Sequence, residues 1–125
     1  AIACNLARPE KLIVAVCGDG GFYMSLHELS TAIQENAPVL VCIFNDGALG
    51  TIRDHQQNLY GGRFISVHLK NPDFAAVAEA FGCCGLKVEK PGQLSPALEE
   101  GEKAVKNGQP AVIDIHVDGG EPLPP

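Results

Sequence analysis

Two aspartates stand in glycine-containing turns, each directly after an apolar run. Asp19 belongs to Gly18-Asp19-Gly20-Gly21, and Asp46 belongs to Asn45-Asp46-Gly47-Ala48. Carboxylate oxygens are ligands that Mg²⁺ prefers, and glycine lets the backbone approach an anion closely. Either turn alone is also an ordinary loop sequence. Together, at the ends of two adjacent parallel strands, they would form a site for Mg²⁺ and a polyphosphate.

The two apolar runs have the composition of buried strands. Residues 12–17 and 39–44 show no polar alternation and are rich in β-branched side chains, which is typical of central strands covered on both faces of a parallel sheet. Between them, Ser25 and Glu28 have the spacing of a capping box and predict a helix that extends to about residue 35. A right-handed β-α-β crossover then brings both aspartates to one edge of the sheet.

The rest of the chain predicts two further helices and two further strands. Asn71-Pro72 is typical of a helix start, and Ser95-Pro96 begins another helix that closes near Gly108. Predicted strands cover residues 85–88 and 111–117. These elements predict a three-layer α/β fold, with a mostly parallel sheet and helices on both faces.

Three stretches lie outside this regular pattern. Residues 58–70 contain Gly61-Gly62 and show no period, which predicts a long mobile segment near the aspartates, of the kind that acts as a lid. Residues 1–7 resemble the last turns of a helix without a start signal, so we expect an N-terminally truncated domain from a longer polypeptide. Residues 119–125 are rich in glycine and proline and predict no regular structure.

Length and composition limit the class of protein. The chain has 125 residues, 46% of them hydrophobic, which is enough for one domain with one core. Its 15 acidic and 9 basic residues give a net charge of −6 and no basic stripe for nucleic acid. No apolar run is long enough to span a membrane. The five cysteines include no C-x-x-C pair, so we expect reduced, mostly buried thiols and a cytoplasmic protein.

Further segments are in register with a known family. Gly18-Asp19-Gly20 followed by Asn45-Asp46 resembles the signature of thiamine diphosphate-dependent enzymes. With residues 49–53, 60–63 and 71–82, the likeness extends over nearly the whole chain. The chain is most similar to the C-terminal diphosphate-binding domain of acetolactate (acetohydroxyacid) synthases and related decarboxylases, so residues 1–125 would be a fragment of a larger multidomain enzyme.

The resemblance implies a set of cofactor-binding residues. Mg²⁺ would be held by the carboxylates of Asp19 and Asp46 and by the backbone carbonyl of Ala48, together with diphosphate oxygens and water. These ligands suit the octahedral preference of Mg²⁺. Amides at a helix start would hold phosphate oxygens, and one leucine would lie near the thiazolium ring. The implied cofactor-binding residues beyond the metal ligands are Gly20, Gly21, Leu49, Gly50, Thr51 and Ile52.

Two positions depart from the family pattern. Asp46 stands where the family usually has Asn, and its extra carboxylate would repel a polyanion by about a few kcal/mol at about 4 Å unless the metal offsets it. His55 stands where synthases that prefer a larger second substrate typically carry Trp, and the chain contains no Trp. The first departure bears on metal binding, and the second leaves the substrate open.

The resemblance also implies a reaction and its requirements. It predicts half of the active site of an enzyme that decarboxylates a 2-oxo acid and, in the synthase branch, joins the product to a second carbonyl. No catalytic residue is expected within the chain, because the family's activating glutamate lies on a pyrimidine-binding domain, usually of a partner subunit. The isolated chain would be inactive, and the full-length protein would be a homo-oligomer. FAD in a middle domain outside these residues is compatible with the resemblance.

Alternatives stay open at this point. The missing Trp is compatible with a simple 2-oxo acid decarboxylase or a lyase on the same scaffold. A non-catalytic nucleotide-binding α/β module is another alternative, although Gly18-Asp19-Gly20-Gly21 lacks the later glycine of G-x-G-x-x-G. A third is that the chain mainly forms an oligomer interface. Arg53 and Arg63 would pair with a substrate carboxylate or, more commonly for arginines, form surface salt bridges.

Overall fold

The computed structural model describes residues 1–120, in which a four-stranded, all-parallel sheet organises the chain. The strands are β1 (Val14–Gly18), β2 (Leu40–Asn45), β3 (Cys84–Val88) and β4 (Ala111–His116), in the spatial order β1-β2-β4-β3. The helices are α1 (Ile2–Ala7), α2 (Asp19–Tyr23), α3 (Glu28–Gln34), α4 (Gly50–Tyr60), α5 (Phe74–Ala80) and α6 (Leu94–Lys106), with a 3₁₀ turn at Pro91–Gln93. Within residues 1–120, no helix is both long and apolar enough to cross a membrane.

Helices cover both faces of the sheet, as predicted. Successive residues of a strand point to opposite faces, so the apolar run of β2 contributes to two separate cores. On one face, residues of α2, α3 and α5 pack on the strands, and this core includes Phe22, Leu29, Phe74, Val41 and Ile43. On the other face, α6 packs on the strands, and this core includes Ala97, Val105, Leu40, Cys42 and Ile113. The three-layer α/β prediction is confirmed, and β2 is a central strand.

The prediction that residues 12–17 form a second central strand is wrong. The strand exists as β1, but it lies at the edge of the sheet and pairs only with β2 among the described strands. Ala15 and Cys17 pack toward the core with α2 and α3, whereas Val14 is 47% and Val16 is 65% exposed. The helix on that side, α6, packs mainly on β3 and β4. An uninterrupted apolar run therefore did not show that both faces of this strand are covered.

Two predicted helix caps are also wrong. The Ser25 hydroxyl donates to the carbonyl of Gly21 at 3.3 Å instead of capping α3, because Ser25 lies in the turns that follow α2. Helix α5 begins two residues later than predicted, with Asp73 in place of Asn71 as its N-cap; the Asp73 side chain accepts a hydrogen bond from the Ala76 amide at 3.1 Å. The Asn71 side chain instead donates hydrogen bonds to Asp19 and Asn45.

The prediction of one long mobile segment over residues 58–70 is wrong in its bounds. Helix α4 continues to Tyr60 and ends at Gly61, whose φ of 61° is the left-handed conformation that favours glycine at a helix C-terminus. The Gln56 side chain holds the backbone of Ile65 through two hydrogen bonds of 2.8 and 3.1 Å. Residues 67–69 then run antiparallel to residues 47–49. The irregular part is shorter than predicted and is tied at both ends.

Helix α1 is present as predicted, and its buried Asn5 side chain donates to the carbonyl of Pro38 at 2.9 Å. Most of the predicted irregular tail, residues 121–125, lies outside the described residues. All five cysteines are free thiols; Cys42 and Cys83 are buried and Cys4 is exposed. Burial raises the pKa of Cys42 and Cys83 above that of an ordinary thiol.

Candidate functional site

The carboxyl ends of β1 and β2 form one side of an open cleft of about 430 Å³. The two strands are parallel neighbours with Gly18 opposite Phe44, so the turns that follow them emerge at the same edge. The structure brings together every residue that the sequence predicted for this site. The predicted residues that line the cleft are Asp19, Gly20, Gly21, Asp46, Ala48, Leu49, Gly50, Thr51 and Ile52.

Asp19 is a buried carboxylate held by uncharged donors. It begins α2 directly after β1 and is only 2% exposed. One carboxylate oxygen accepts from the Gly20 amide at 2.9 Å, and the other accepts from the side-chain amide of Asn71. No Lys, Arg or His side chain within residues 1–120 forms an ion pair with it. A buried charge without a counter-ion is costly, so this position suits a bound cation.

The sequence did not predict the polar network behind Asp19. The Nδ2 atom of Asn71 also donates to Asn45 Oδ1 at 2.9 Å, and Asn45 Nδ2 donates to Asp114 Oδ1 at 2.9 Å. His116 Nε2 lies 3.4 Å from the second oxygen of Asp114. Asn71 thereby joins the ends of β1 and β2, while its own buried Oδ1 has no hydrogen-bond partner in the described part of the chain.

Asp46 differs from Asp19 in its surroundings, because the positively charged side chain of Arg53 lies beside it. Its Oδ1 accepts from the Ala48 amide at 3.1 Å, and its Oδ2 accepts from Arg53 Nη1 at 3.1 Å. The two side chains are 16% and 18% exposed, so the pair is largely shielded from solvent. Arg53 Nε also lies 3.6 Å from Asp54 Oδ1. This arginine lines the cleft and therefore belongs to the site. From the sequence alone, both a contact with a substrate carboxylate and a surface salt bridge were open for it.

In the backbone of residues 47–49, the carbonyl of Ala48 is available to accept a ligand. Leu49 N donates to Val67 O and Leu69 N donates to Gly47 O, each at 2.8 Å, so Ala48 faces His68 as a non-hydrogen-bonded antiparallel pair. In such a pair the carbonyl of the central residue points away from the neighbouring strand. Across the described residues, no backbone amide outside the regular elements donates to the Ala48 carbonyl. It is a backbone oxygen available to a ligand in the cleft.

Glycines give the cleft its close backbone approaches. A Cβ at Gly20 would lie 2.5 Å from Leu49 Cδ2, and one at Gly119 would lie 2.6 Å from Arg53 Nη1. A Cβ added at Gly21 would meet no atom within 4 Å, so there is open space beside the first turn of α2. The first turn of α4 also lines the cleft, and no side chain caps it. Uncapped amides at a helix N-terminus favour a bound anion.

The donor set fits a hard divalent cation that carries a polyphosphate. Two carboxylates and a free carbonyl are oxygen ligands of the kind Mg²⁺ takes, and the neighbouring glycine and helix amides suit phosphate. The described residues contain no cluster of three or more His, Cys, Asp or Glu side chains that would hold a metal by itself. A cation here would thus complete its coordination with oxygens of its ligand and water. His55 and Arg63 do not line this cleft.

A family model matches residues 1–115, and its description is "Thiamine pyrophosphate enzyme, C-terminal TPP binding domain". The Bacillus subtilis (strain 168) protein YdaP, described as thiamine pyrophosphate-containing, is 41% identical over 124 residues, which are 99% of this chain and 21% of YdaP. The acetolactate synthase isozyme 3 large subunit of Escherichia coli (strain K12) is 37% identical over 126 residues, 100% of this chain and 22% of that protein.

A solved structure shows the same relationship in three dimensions. The thiamine diphosphate-dependent 4-hydroxybenzoylformate decarboxylase of Rhodococcus jostii RHA1 aligns with a TM-score of 0.85 and 25% sequence identity. The alignment covers 94% of this chain and 22% of the decarboxylase. The chain therefore spans about a fifth of the length of each of these three proteins.

Proposed function

The chain belongs to the thiamine pyrophosphate enzyme family, whose C-terminal TPP-binding domain model covers residues 1–115, and from this premise we propose that it binds Mg²⁺ and the diphosphate of thiamine diphosphate. The metal ligands are the carboxylates of Asp19 and Asp46 and the carbonyl of Ala48. One observation carries the proposal: the buried carboxylate of Asp19 has no cationic partner in residues 1–120 and lines the same cleft as Asp46 and the free carbonyl. A divalent cation would supply the missing charge.

The remaining cleft residues offer either backbone amides or an apolar side chain. The amide of Gly21 and those of residues 50–52 at the start of α4 bind the phosphate oxygens, because both stretches lie near helix N-termini that line the cleft. The Gly20 amide already donates to Asp19 Oδ1, so Gly20 instead lets the backbone approach the cofactor closely. Leu49 offers the apolar side chain next to them, in contact range of Gly20, and packs against the organic part of the cofactor.

The reaction that we propose is decarboxylation of a 2-oxo acid followed by ligation of the product to a second carbonyl, as in an acetolactate synthase. When bound, thiamine diphosphate supplies the electron sink for decarboxylation. Residues 1–125 form the diphosphate-binding part of a larger homo-oligomeric enzyme. We place the activating glutamate on a pyrimidine-binding domain of a partner subunit. FAD in another domain and a cytoplasmic location stay predictions.

A simple decarboxylase is the second candidate, and a specific observation favours it. The Rhodococcus jostii protein that shares this fold with a TM-score of 0.85 is a decarboxylase, whereas the Escherichia coli relative is an acetolactate synthase subunit. Product analysis of the full-length enzyme with a 2-oxo acid distinguishes them. Acetolactate or a homologous hydroxy acid supports the synthase, and free aldehyde as the only product would leave the decarboxylase.

The binding proposal is tested by isothermal titration calorimetry on the full-length protein. Thiamine diphosphate is titrated with Mg²⁺ and with EDTA, and ADP with Mg²⁺ serves as the nucleotide control. We expect binding of thiamine diphosphate that requires Mg²⁺ and is lost in Asp19→Asn. Binding that is indifferent to Mg²⁺, or a preference for ADP, would instead support the nucleotide-binding module.

A further inference from the structure

The proposed function assigns no role to the ion pair between Asp46 and Arg53, although both side chains line the cleft. Nη1 of Arg53 lies 3.1 Å from Asp46 Oδ2, and both side chains are largely shielded from solvent. Among residues 1–120, Arg53 is the only Lys or Arg that lines the cleft, whereas Asp19, Asp46, Asp54 and Asp118 also line it. The cleft is therefore strongly acidic before any anion enters.

This charge balance matters for an anionic ligand. Diphosphate carries several negative charges, and Mg²⁺ supplies only two positive ones. Asp46 and Asp19 together would cancel the charge of the metal, so the diphosphate would meet a neutral site flanked by further acids. At the separations found in a metal site, each uncompensated charge acts strongly in a partly dehydrated cleft. A fixed cation beside Asp46 removes one of these repulsions.

The geometry lets Arg53 do this without displacing the metal. Each Asp46 oxygen accepts one hydrogen bond, from Ala48 N or from Arg53, and a carboxylate oxygen has a second lone-pair direction free for a metal. The guanidinium is further positioned by Asp54, 3.6 Å from its Nε. The guanidinium also lies close to the backbone of Gly119, where an added Cβ would be 2.6 Å from Arg53 Nη1.

We propose that Arg53 is a positioning residue that neutralises Asp46, so that this aspartate can serve as a metal ligand without repelling the diphosphate. The inference rests on the proposed function. It predicts that the importance of Arg53 depends on the charge at position 46: Arg53 is needed beside an aspartate and dispensable beside an asparagine, which keeps an oxygen ligand but carries no charge.

A double-mutant cycle on the full-length protein tests this dependence. The dissociation constant of thiamine diphosphate at saturating Mg²⁺ is measured by calorimetry for wild type, Arg53→Met, Asp46→Asn and the double variant. Loss of the arginine should weaken binding about tenfold in the wild-type background and less than about twofold in the Asp46→Asn background. Arg53→Lys, which keeps the charge, should restore binding to within about threefold of wild type.

Controls separate this role from its rivals. Arg63→Met makes the same change at an exposed arginine whose Nε only donates to the Tyr60 carbonyl, and should leave binding unchanged. If Arg53→Met does not fold, as judged by circular dichroism, Arg53→Gln takes its place in the cycle. Equal losses in both backgrounds would overturn the inference alone, because they would mean direct contact with diphosphate or a purely structural role. Absence of Mg²⁺-dependent binding in wild type would overturn the proposed function itself, and the inference with it.

Discussion

The ends of β1 and β2 each place an aspartate at the cleft, but the surroundings of the two aspartates differ. At the end of β1, Asp19 is buried, and its hydrogen-bond donors are the neutral amides of Gly20 and Asn71. At the end of β2, Asp46 is more accessible and pairs with the guanidinium of Arg53. One carboxylate is fixed in place and uncompensated, while the other is compensated from within the chain.

This difference separates two requirements of an ion-binding site. A buried, fixed and uncompensated charge favours a cation most strongly, because the cation removes a cost that the folded chain otherwise bears. A compensated carboxylate contributes a ligand atom with less net charge. Asp19 should therefore contribute most to the affinity for the metal. Asp46 should mainly affect how strongly the metal site repels or attracts the diphosphate.

The largest expected effect comes from removing the charge at the first strand end. Asp19→Asn should weaken Mg²⁺-dependent binding of thiamine diphosphate about a thousandfold, against about tenfold or less for Asp46→Asn, because only the first change removes an uncompensated charge. The free energy of unfolding without Mg²⁺ should change by less than about 1 kcal/mol in Asp19→Asn, since loss of the unpaired buried charge offsets the hydrogen bond that the new side-chain NH₂ group cannot accept. Calorimetry measures the first quantity and urea denaturation the second.

The control for this pair is Asp118→Asn. Asp118 also lines the cleft, but it is exposed, so solvent screens its charge. One of its oxygens accepts from the Gly120 amide at 2.9 Å, and it is not a proposed ligand. Its change should alter binding by less than about threefold. Equal losses for Asp19→Asn and Asp46→Asn would remove the distinction between the two strand ends.

Asn71→Ala should break the link between the strand ends. The change leaves the buried Asp19 Oδ2 without its side-chain donor, while Asn45 Oδ1 keeps the Gly47 amide at 3.2 Å as its second donor. It should lower the free energy of unfolding by about 1–3 kcal/mol. Urea denaturation measures this. Asn58→Ala is the matched control, because Asn58 lies exposed on α4 and its loss should change stability by less than about 0.5 kcal/mol. A similar small change for Asn71→Ala would show that the network does not hold the strand ends.

The residues that the sequence predicted correctly are those whose positions follow from local patterns. Asp19 and Asp46 each come directly after an apolar run, so parallel pairing of β1 and β2 was sufficient to bring them to one edge. The family resemblance supplied the predicted cofactor-binding residues of the following turns, and the structure places them along the same cleft. The central position of β2 followed from its apolar run, in which every strand residue except Phe44 is buried.

What the sequence did not predict depends on contacts between distant segments. Asn71 is a helix-cap residue by its local sequence, and only the fold brings its amide to Asp19 and Asn45. Asp114 lies inside an apolar run, and its burial depends on the amide of Asn45 from the neighbouring strand. The exposed face of β1 is also a tertiary property, since it depends on where α6 packs.

Filling the open space beside Gly21, at the end of β1, should have a smaller effect on stability and binding. Gly21 lies within α2 with no atom within 4 Å of an added Cβ, so Gly21→Ala should raise the free energy of unfolding by up to about 1 kcal/mol through helix propensity. If phosphate occupies that space, the same change should weaken thiamine diphosphate binding about tenfold. Gly92→Ala, also with no atom within 4 Å, is the control without effect on binding. Unchanged affinity in Gly21→Ala would place the diphosphate elsewhere.

The smallest expected effect concerns the cap of α5, two residues after the asparagine that links the strand ends. The Ala76 amide, more than Lys87, lowers the pKa of Asp73 below its ordinary value of 3.8. A lowered folded-state pKa stabilises the fold above the ordinary value, and this contribution is lost as pH falls through the folded-state value. Asp73→Ala should therefore lower the free energy of unfolding by about 1 kcal/mol at neutral pH and by less in acid. Asp73→Asn, which keeps an acceptor, should be milder and insensitive to pH over that range. Urea denaturation at several pH values measures both, and a loss in Asp73→Ala that is constant with pH would show that the carboxylate charge does not contribute to the cap.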